Sequence, residues 1–343
     1  MAEASITMPS TTTASAENVL DVSRLEAAFF THRGVVRAVN GVSFHLKAGE
    51  TLGIVGESGS GKSVTALSIL QCLPYPGRIL GGEVKFLGED LLAKSERQMQ
   101  QILGRSMSMI PQDPTASLNP LMRIGEHLLE VLNAHTDLSK HAAKQRAIEL
   151  LNTVGIPDPE QRFRDYPHQL SGGMRQRVMI AMAIACHPVL LIADEPTTAL
   201  DATVQAQILE LIRSLSLNLH SATILITHNL GIVAGLCDTV AVVYAGRVVE
   251  MAPCDELFEQ PRHPYTVSLL KCVPRLDRVG VGDLRSIRGQ PPDLIYIPPG
   301  CAFAPRCPLA SERCEVDVPA LTSQGPNHVA ACWNVAAVER MET

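Results

Sequence analysis

Eight residues, Gly56-Glu57-Ser58-Gly59-Ser60-Gly61-Lys62-Ser63, fit the phosphate-binding template G-x-x-x-x-G-K-[ST]. Glycines let the backbone wrap tightly around phosphate oxygens, and successive amide N–H groups join the positive end of a following helix in an anion nest. In that chemistry Lys62 reaches the β- and γ-phosphates of a nucleotide and Ser63 places its hydroxyl on Mg²⁺. The flanks agree, because Thr51 to Val55 is a short apolar, β-prone run and Ser63 to Leu70 reads as the opening turns of a helix.

Other residues with matching chemistry follow in order. Gln112 lies just after the strand-like run Ser106 to Ile110, in a proline-bounded loop from which its amide oxygen can reach a metal ion or water. Ser171, Gly172 and Gly173 precede a helical run through Val178 to Cys186 and offer a hydroxyl and bare amides, a second anion-binding surface. Pro188 to Ala193 is continuously apolar, as a parallel strand buried on both faces must be, and it ends in Asp194 and Glu195. Asp194 is placed to hold Mg²⁺ through water and Glu195 to polarise the water that attacks the γ-phosphate. His228 ends the strand Ala222 to Thr227, where a neutral imidazole can orient that water or where the ring can be structural. Phe29 or Phe30 can face a purine ring, although ordinary sheet core is the simpler reading.

These groups need a large scaffold. The 343 residues, 46% hydrophobic and 19% charged, suffice for a substantial globular core. A net charge of -6 gives no whole-chain reason to expect nucleic acid. No apolar run approaches the roughly 18–20 residues needed to cross a bilayer, and no basic stretch leads into an apolar one at the N-terminus. A cytoplasmic chain, peripheral to any membrane, is expected. Residues 1–18 are rich in Ser, Thr and Ala and read as a flexible tail. Val19 to Glu50 alternates like an antiparallel sheet, and Asn119 to Gln169 has helical spacing. From about Val240 the chain is expected to leave the nucleotide-binding core, through two short strands around Gly246, a helix broken at Pro261 and Pro264, and a Pro- and Gly-rich tail from Pro274.

Nine cysteines divide into two groups. Cys72, Cys186, Cys237, Cys254 and Cys272 are scattered, mostly among apolar neighbours, and read as core. Cys301, Cys307, Cys314 and Cys332 cluster in a proline-rich segment with little apolar content, where a small fold needs a staple. Four thiolates there can hold a [4Fe–4S] cluster or Zn²⁺, and free thiols are the third reading. The lack of a C-x-x-C pair weakens a zinc ribbon.

The ordered set of Gly56 to Ser63, Gln112, Leu170-Ser171-Gly172-Gly173-Met174-Arg175-Gln176, Leu190 to Glu195, Leu200-Asp201 and His228 resembles the ATP-binding subunit of ABC transporters. The Leu-Ser-Gly-Gly-x-x-Gln element is its most discriminating part. The resemblance implies an α/β fold: a P-loop NTPase core with a parallel sheet, an N-terminal antiparallel β subdomain, a helical insertion at about 119–170 and a small cysteine-containing C-terminal extension. An ATPase domain at 19–272 and an extension at 273–343 follow.

The resemblance also implies a head-to-tail dimer in which each ATP lies between one subunit's P-loop and the other's Ser171 to Gly173. It assigns Glu57, Ser58, Gly59, Ser60, Val64 and Gln176 to ATP contact, Phe29 to adenine stacking, and Asp201 to the dimer junction. Lys62, Gln112, Glu195 and His228 take catalytic roles, with Ser63, Gln112 and Asp194 on Mg²⁺.

Two further stretches, Pro111-Gln112-Asp113-Pro114-Thr115-Ala116-Ser117-Leu118-Asn119-Pro120 and His263-Pro264-Tyr265-Thr266, are similar to dipeptide and oligopeptide importers, as is the cysteine pattern. That subfamily implies two transmembrane permease subunits, a second ATPase subunit, an extracytoplasmic solute-binding protein, the cytoplasmic membrane face, and an iron–sulfur cluster in preference to zinc. Nickel or other small-solute import, a soluble ABC ATPase acting on nucleic acid or ribosomes, and a non-enzymatic metal-binding scaffold are the alternatives.

Overall fold

The computed structural model describes residues 18–198, 200–273 and 287–341. The expected flexible tail, apart from Asn18, and residues 274–286 of the Pro- and Gly-rich stretch lie outside them.

Alternating apolar residues fold the N-terminal region into a hairpin, β1 (Asn18–Thr31) and β2 (Gly34–Lys47). After β3 (Thr51–Val55), the strands β4 (Gly77–Phe86) and β5 (Glu89–Asp90) complete a four-stranded antiparallel sheet in the order β2-β1-β4-β5. Leu20, Val22, Leu25, Phe44 and Leu46 fill its inner face, packing onto Leu52 and Ile54 of β3.

The second sheet has eight strands. They are β3, β6 (Met107–Ile110), β7 (Leu190–Asp194), β8 (Ala222–Thr227), β9 (Thr239–Tyr244), β10 (Arg247–Pro253), β11 (Thr322–Gly325) and β12 (His328–Ala330), in the order β11-β12-β10-β9-β3-β8-β7-β6. Pairing from β6 to β9 is parallel, and from β9 to β11 antiparallel. Every residue of β7 and β8 is buried, which accounts for the apolar runs Leu190 to Ala193 and Ile224 to Ile226. The order brings the C-terminal ends of β3, β7 and β8 side by side, where ligands of open parallel sheets bind.

Residues Ile124–His135, Lys140–Thr153 and Pro159–Arg162 are helices. Their buried Ile124, Leu128, Leu132, Ala147, Leu150 and Leu151 pack in one cluster with Val178 and Ile180 of the helix Gly172–Ile184. Among the described residues no helix is long and apolar enough to cross a membrane.

The structure corrects two expectations. The chain does not leave the core at Val240: β9 runs parallel to the P-loop strand, with Gly53 opposite Val240 and Ile54 opposite Ala241. The extension then continues the same sheet, since β12 pairs with β10 through Glu250–Ala330 and Met251–Val329. Cys72 and Cys272 are exposed rather than core, whereas Cys237 and Cys254 are buried and Cys186 is half-buried.

Below this sheet edge lies a charged staple. The fully buried Glu250 accepts hydrogen bonds from the backbone N–H groups of Arg262 (2.5 Å) and His263 (3.0 Å) and pairs with His328 Nε2 at 2.8 Å. The other nitrogen, His328 Nδ1, lies 2.9 Å from Glu256. With a carboxylate at each nitrogen, the ring is satisfied only as a double donor, the imidazolium. Burial opposes that charge, but the two carboxylates outweigh it and hold the His328 pKa above its ordinary value.

Candidate nucleotide-binding site

The P-loop runs from the end of β3 into the helix Lys62–Ile69, whose N-cap Gly61 sits at φ 102° with no side-chain cap. The helix start is therefore left open to an anion. Two glycines are required by contact: a Cβ on Gly56 would lie 2.2 Å from the Val243 carbonyl oxygen, and one on Gly61 2.1 Å from that of Ala38. Lys62 Nζ donates to the carbonyls of Gly56 (2.8 Å) and Glu57 (2.9 Å), leaving a third N–H for a phosphate oxygen. Burial pulls the Lys62 pKa down, opposed by Glu195, Asp194 and Glu57. The buried Ser60 Oγ has no hydrogen-bond partner among the described residues, an orphaned donor suited to a phosphate.

Around this loop stand the strand-end residues. Ser63 Oγ donates to Asp194 Oδ1 at 2.9 Å, and burial raises the Asp194 pKa, with the Ser63 bond opposing it. Glu195 is held between Gln112, whose Nε2 donates to Oε2 at 3.0 Å, and His228, whose Nδ1 lies 3.2 Å from Oε1. Thr198 Oγ1 donates to Oε2 as well, at 3.1 Å. Glu195 adopts φ 44°, a left-handed conformation that non-glycine residues rarely take and that clusters at functional sites. The Ser63 hydroxyl and Asp194 carboxylate, 2.9 Å apart, are oxygen donors of the kind Mg²⁺ takes, and Gln112 lines the same cavity as Ser63.

One cavity of about 910 Å³ joins these parts, lined by Glu57, Ser58, Gly59, Gly61, Lys62, Ser63, Val64, Gln112, Glu195 and His228 together with Phe29. Phe29 is therefore at the pocket rather than in the sheet core, and Phe30 is 43% exposed beneath Arg78. Sequence reasoning missed Leu269, Pro291 and Leu294, which also line the cavity, the last two from the C-terminal extension. It also missed Tyr265, whose hydroxyl accepts the Glu57 N–H at 2.8 Å, and Arg306, which pairs with the Glu57 carboxylate. Tyr265 had a signal in the His-Pro-Tyr-Thr stretch and Arg306 in the cysteine-containing stretch Gly300 to Pro308; Pro291 and Leu294 had none.

No residue from 171 to 176 lines this cavity. Ser171 caps the helix Gly172–Ile184 by accepting the Met174 N–H (3.3 Å), and Gly173 lets that helix approach Val204. Asp201 caps the helix Ala202–Leu219 through the N–H groups of Thr203 and Val204. Gln176 is only 2% exposed, inside the fold rather than on the surface where a partner's nucleotide would meet it.

The four clustered cysteines line one small cavity, and all are free thiols. Backbone N–H groups of Leu309 and Asn334 point at the sulfurs of Cys307 (3.4 Å) and Cys332 (3.3 Å). Burial pushes both thiols up to about 11 and raises Cys301. Among the described residues, however, no group of three or more His, Cys, Asp or Glu is placed to hold a metal ion. The expectation of a metal centre, as cluster or zinc, thus finds no support in these side-chain positions.

A P-loop, a strand-end Asp-Glu pair and a glutamine and histidine converging on the glutamate, set between an antiparallel β unit and a helical unit, define a P-loop ATPase of the ATP-binding-cassette type. The sequence matches the ABC transporter family over residues 39–198 and the oligopeptide/dipeptide transporter C-terminal region over residues 249–314. It is 50% identical over 318 residues to the dipeptide transport ATP-binding protein DppD of Bacillus subtilis, covering 92% of this chain and 95% of that protein. The oligopeptide transport ATP-binding protein OppD of Escherichia coli is also 50% identical over 318 residues (93% and 94%). Among solved structures, a dimeric ATP-binding cassette in a post-hydrolysis state bound to ADP and phosphate superposes with TM-score 0.62 at 26% identity, over 68% of this chain and 98% of that one. This chain belongs to the ABC transporter ATPases, in the group that carries the oligopeptide/dipeptide transporter C-terminal region.

Proposed function

We propose that this ATPase powers the uptake of di- or oligopeptides through separate membrane subunits. The observation that carries the reading is Glu195, held by Gln112 and His228 at the mouth of the Lys62 cavity. Relatives named for dipeptide and oligopeptide transport direct it to peptides.

Glu195 accepts the proton of the attacking water, His228 and Gln112 fix its carboxylate, and Lys62 holds the terminal phosphates. Ser63, Asp194 and Gln112 would hold Mg²⁺, which would supply charge neutralisation at the phosphates. Phe29 stacks on the base. The Ser171 to Gly173 helix start, remote from this chain's own cavity, serves the partner's nucleotide in a head-to-tail dimer, with Asp201 at the junction. Two permeases, a second ATPase subunit and an extracytoplasmic binding protein complete the assembly at the cytoplasmic membrane face. The domain limits are 19–272 for the ATPase, with its helical unit at about 119–170, and 273–343 for the extension.

Reconstitution with the permeases tests this reading. ATPase activity that rises with a peptide-loaded binding protein, and peptide accumulation in the vesicles, are expected. Stimulation by nickel alone, or co-purification with nucleic acid, contradicts it.

For the cysteine segment we propose a [4Fe–4S] cluster rather than Zn²⁺. The resemblance of the cysteine pattern to peptide importers supports it; the four cysteines line one cavity, but among the described residues their side chains do not stand as a metal-binding group. The absence of a C-x-x-C pair weighs against a zinc ribbon. Anaerobically purified protein should be brown with stoichiometric iron; bound zinc without iron would overturn the proposal.

A further inference from the structure

Glu57 is an odd residue for a phosphate site. It lines the nucleotide cavity, and its carboxylate is near enough to Lys62 to favour that ammonium's charge. An unpaired carboxylate there opposes a triphosphate.

It is not unpaired. Arg306, from the C-terminal extension, forms a two-pronged pair with it: Nη1 to Oε2 at 2.6 Å and Nη2 to Oε1 at 2.9 Å. The arginine side chain is 4% exposed. Its Nε donates to the Arg288 carbonyl at 2.9 Å, and its Nη1 reaches the Tyr244 hydroxyl at 3.3 Å. The guanidinium carbon lies 5.9 Å from the ring centres of both Tyr244 and Phe303. Arg306 sits on a single 3₁₀ turn, Ala304–Arg306, closed by hydrogen bonds from Ala304 N–H to the Cys301 carbonyl and from Cys307 N–H to the Ala304 carbonyl. Its rotamer is thus fixed from several sides. A buried cation held this way is costly unless its partner is in place, so the pair is a built feature and not a surface contact.

On the backbone side of the same residue, Tyr265 accepts the Glu57 N–H. Tyr244, Tyr265 and Phe303 pack on one another with ring centres 4.6 to 5.3 Å apart. The extension therefore grips the second residue of the P-loop by charge, while the helix Pro264–Lys271 grips it by its amide.

We propose that Arg306 is a positioning residue for ATP binding: it neutralises Glu57 and holds its carboxylate away from the phosphates, so that the C-terminal extension sets the nucleotide affinity of the P-loop. The proposal rests on the ATPase assignment and adds a group 249 residues from Glu57 in sequence to its site.

The experiment uses the full-length chain, with ATP affinity measured by titration, and the assembled transporter, with KM and kcat measured separately. Thermal melting confirms that each variant is folded. Arg306→Ala should raise the Kd and KM for ATP roughly tenfold, the effect of about one exposed unit charge in a partly wet site, with kcat changed less than about twofold. Arg306→Lys, which keeps charge but loses the planar fork, should fall between. The deciding variant is the double substitution Glu57→Gln with Arg306→Ala. It should return the Kd to within about twofold of Glu57→Gln alone, because the charge needing neutralisation has gone. An unchanged Kd in Arg306→Ala, or a double variant as weak as Arg306→Ala, would overturn the proposal and leave Arg306 a packing residue. A wild-type chain that fails to bind ATP would count instead against the nucleotide reading.

Discussion

Replacing His328 with Ala removes the only side chain that links Glu250 to Glu256 among the described contacts. Glu250 keeps its bonds from the Arg262 and His263 N–H groups but loses the cation that balances a fully buried carboxylate. Breaking a buried pair from one side costs about 3 kcal/mol, toward the low end here because those two N–H donors remain. Among the described residues the hairpin β11–β12 is joined to β10 through two ladder pairs and the hydrogen bond from the Ala331 N–H to the Val249 carbonyl, so the loss appears first as local opening of the hairpin. A change of about 3 kcal/mol multiplies the open population on the order of a hundredfold.

Hydrogen exchange of the Val329 and Ala330 amides, with limited proteolysis between β10 and the C-terminus, reads that population directly. The effect has a pH sign. The folded His328 pKa is raised, so its stabilisation is complete below the unfolded value of about 6.5 and is lost as pH rises through the folded value. Wild-type protection should decline toward alkaline pH, and the variant should show no such decline. Equal protection in both proteins, or wild-type protection that strengthens as pH rises through that range, would show that His328 does not pin the hairpin as an imidazolium.

Gly61→Ala should disrupt the P-loop, because the new methyl would meet the Ala38 carbonyl at 2.1 Å with the backbone at φ 102°; loss of ATP binding with a lowered melting temperature checks this. Ser171→Ala removes the N-cap of the helix Gly172–Ile184 and should cost about 1 kcal/mol in a melt. It should leave ATP affinity of the isolated chain unchanged while lowering turnover of the assembled complex, whereas equal loss in both settings would place Ser171 in its own chain's site. Tyr265→Phe deletes only the acceptor for the Glu57 N–H and should weaken ATP binding severalfold, the equivalent of about 1 kcal/mol, with its ring packing kept.

What the sequence disclosed follows from locality. The P-loop octet, the apolar run ending in Asp194-Glu195 and the Ser171-Gly172-Gly173 helix start each carry their chemistry within a few residues, so composition and spacing suffice. The central strands were equally legible, because burial on both faces demands apolar runs such as Leu190 to Ala193. Contacts between distant segments were not legible. β9 read as a strand, but nothing local says that it pairs with β3 rather than leaving the core. β11, Thr322–Gly325, is polar and four residues long, with no alternation to mark it. Arg306, Pro291 and Leu294 gain meaning only when the fold carries the extension back to the nucleotide cavity, and Gln176, chemically apt for a nucleotide contact, turns inward.

ATP hydrolysis by this chain turns on Glu195. In the reconstituted transporter, with the equivalent glutamate of the other ATPase subunit also changed to Gln so that no intact site remains, Glu195→Gln should preserve ATP affinity. It should also cut ATP turnover by roughly 10²- to 10⁴-fold, the usual contribution of a general base. Undiminished hydrolysis in that doubly substituted complex would contradict the assignment of Glu195 as the residue that activates water.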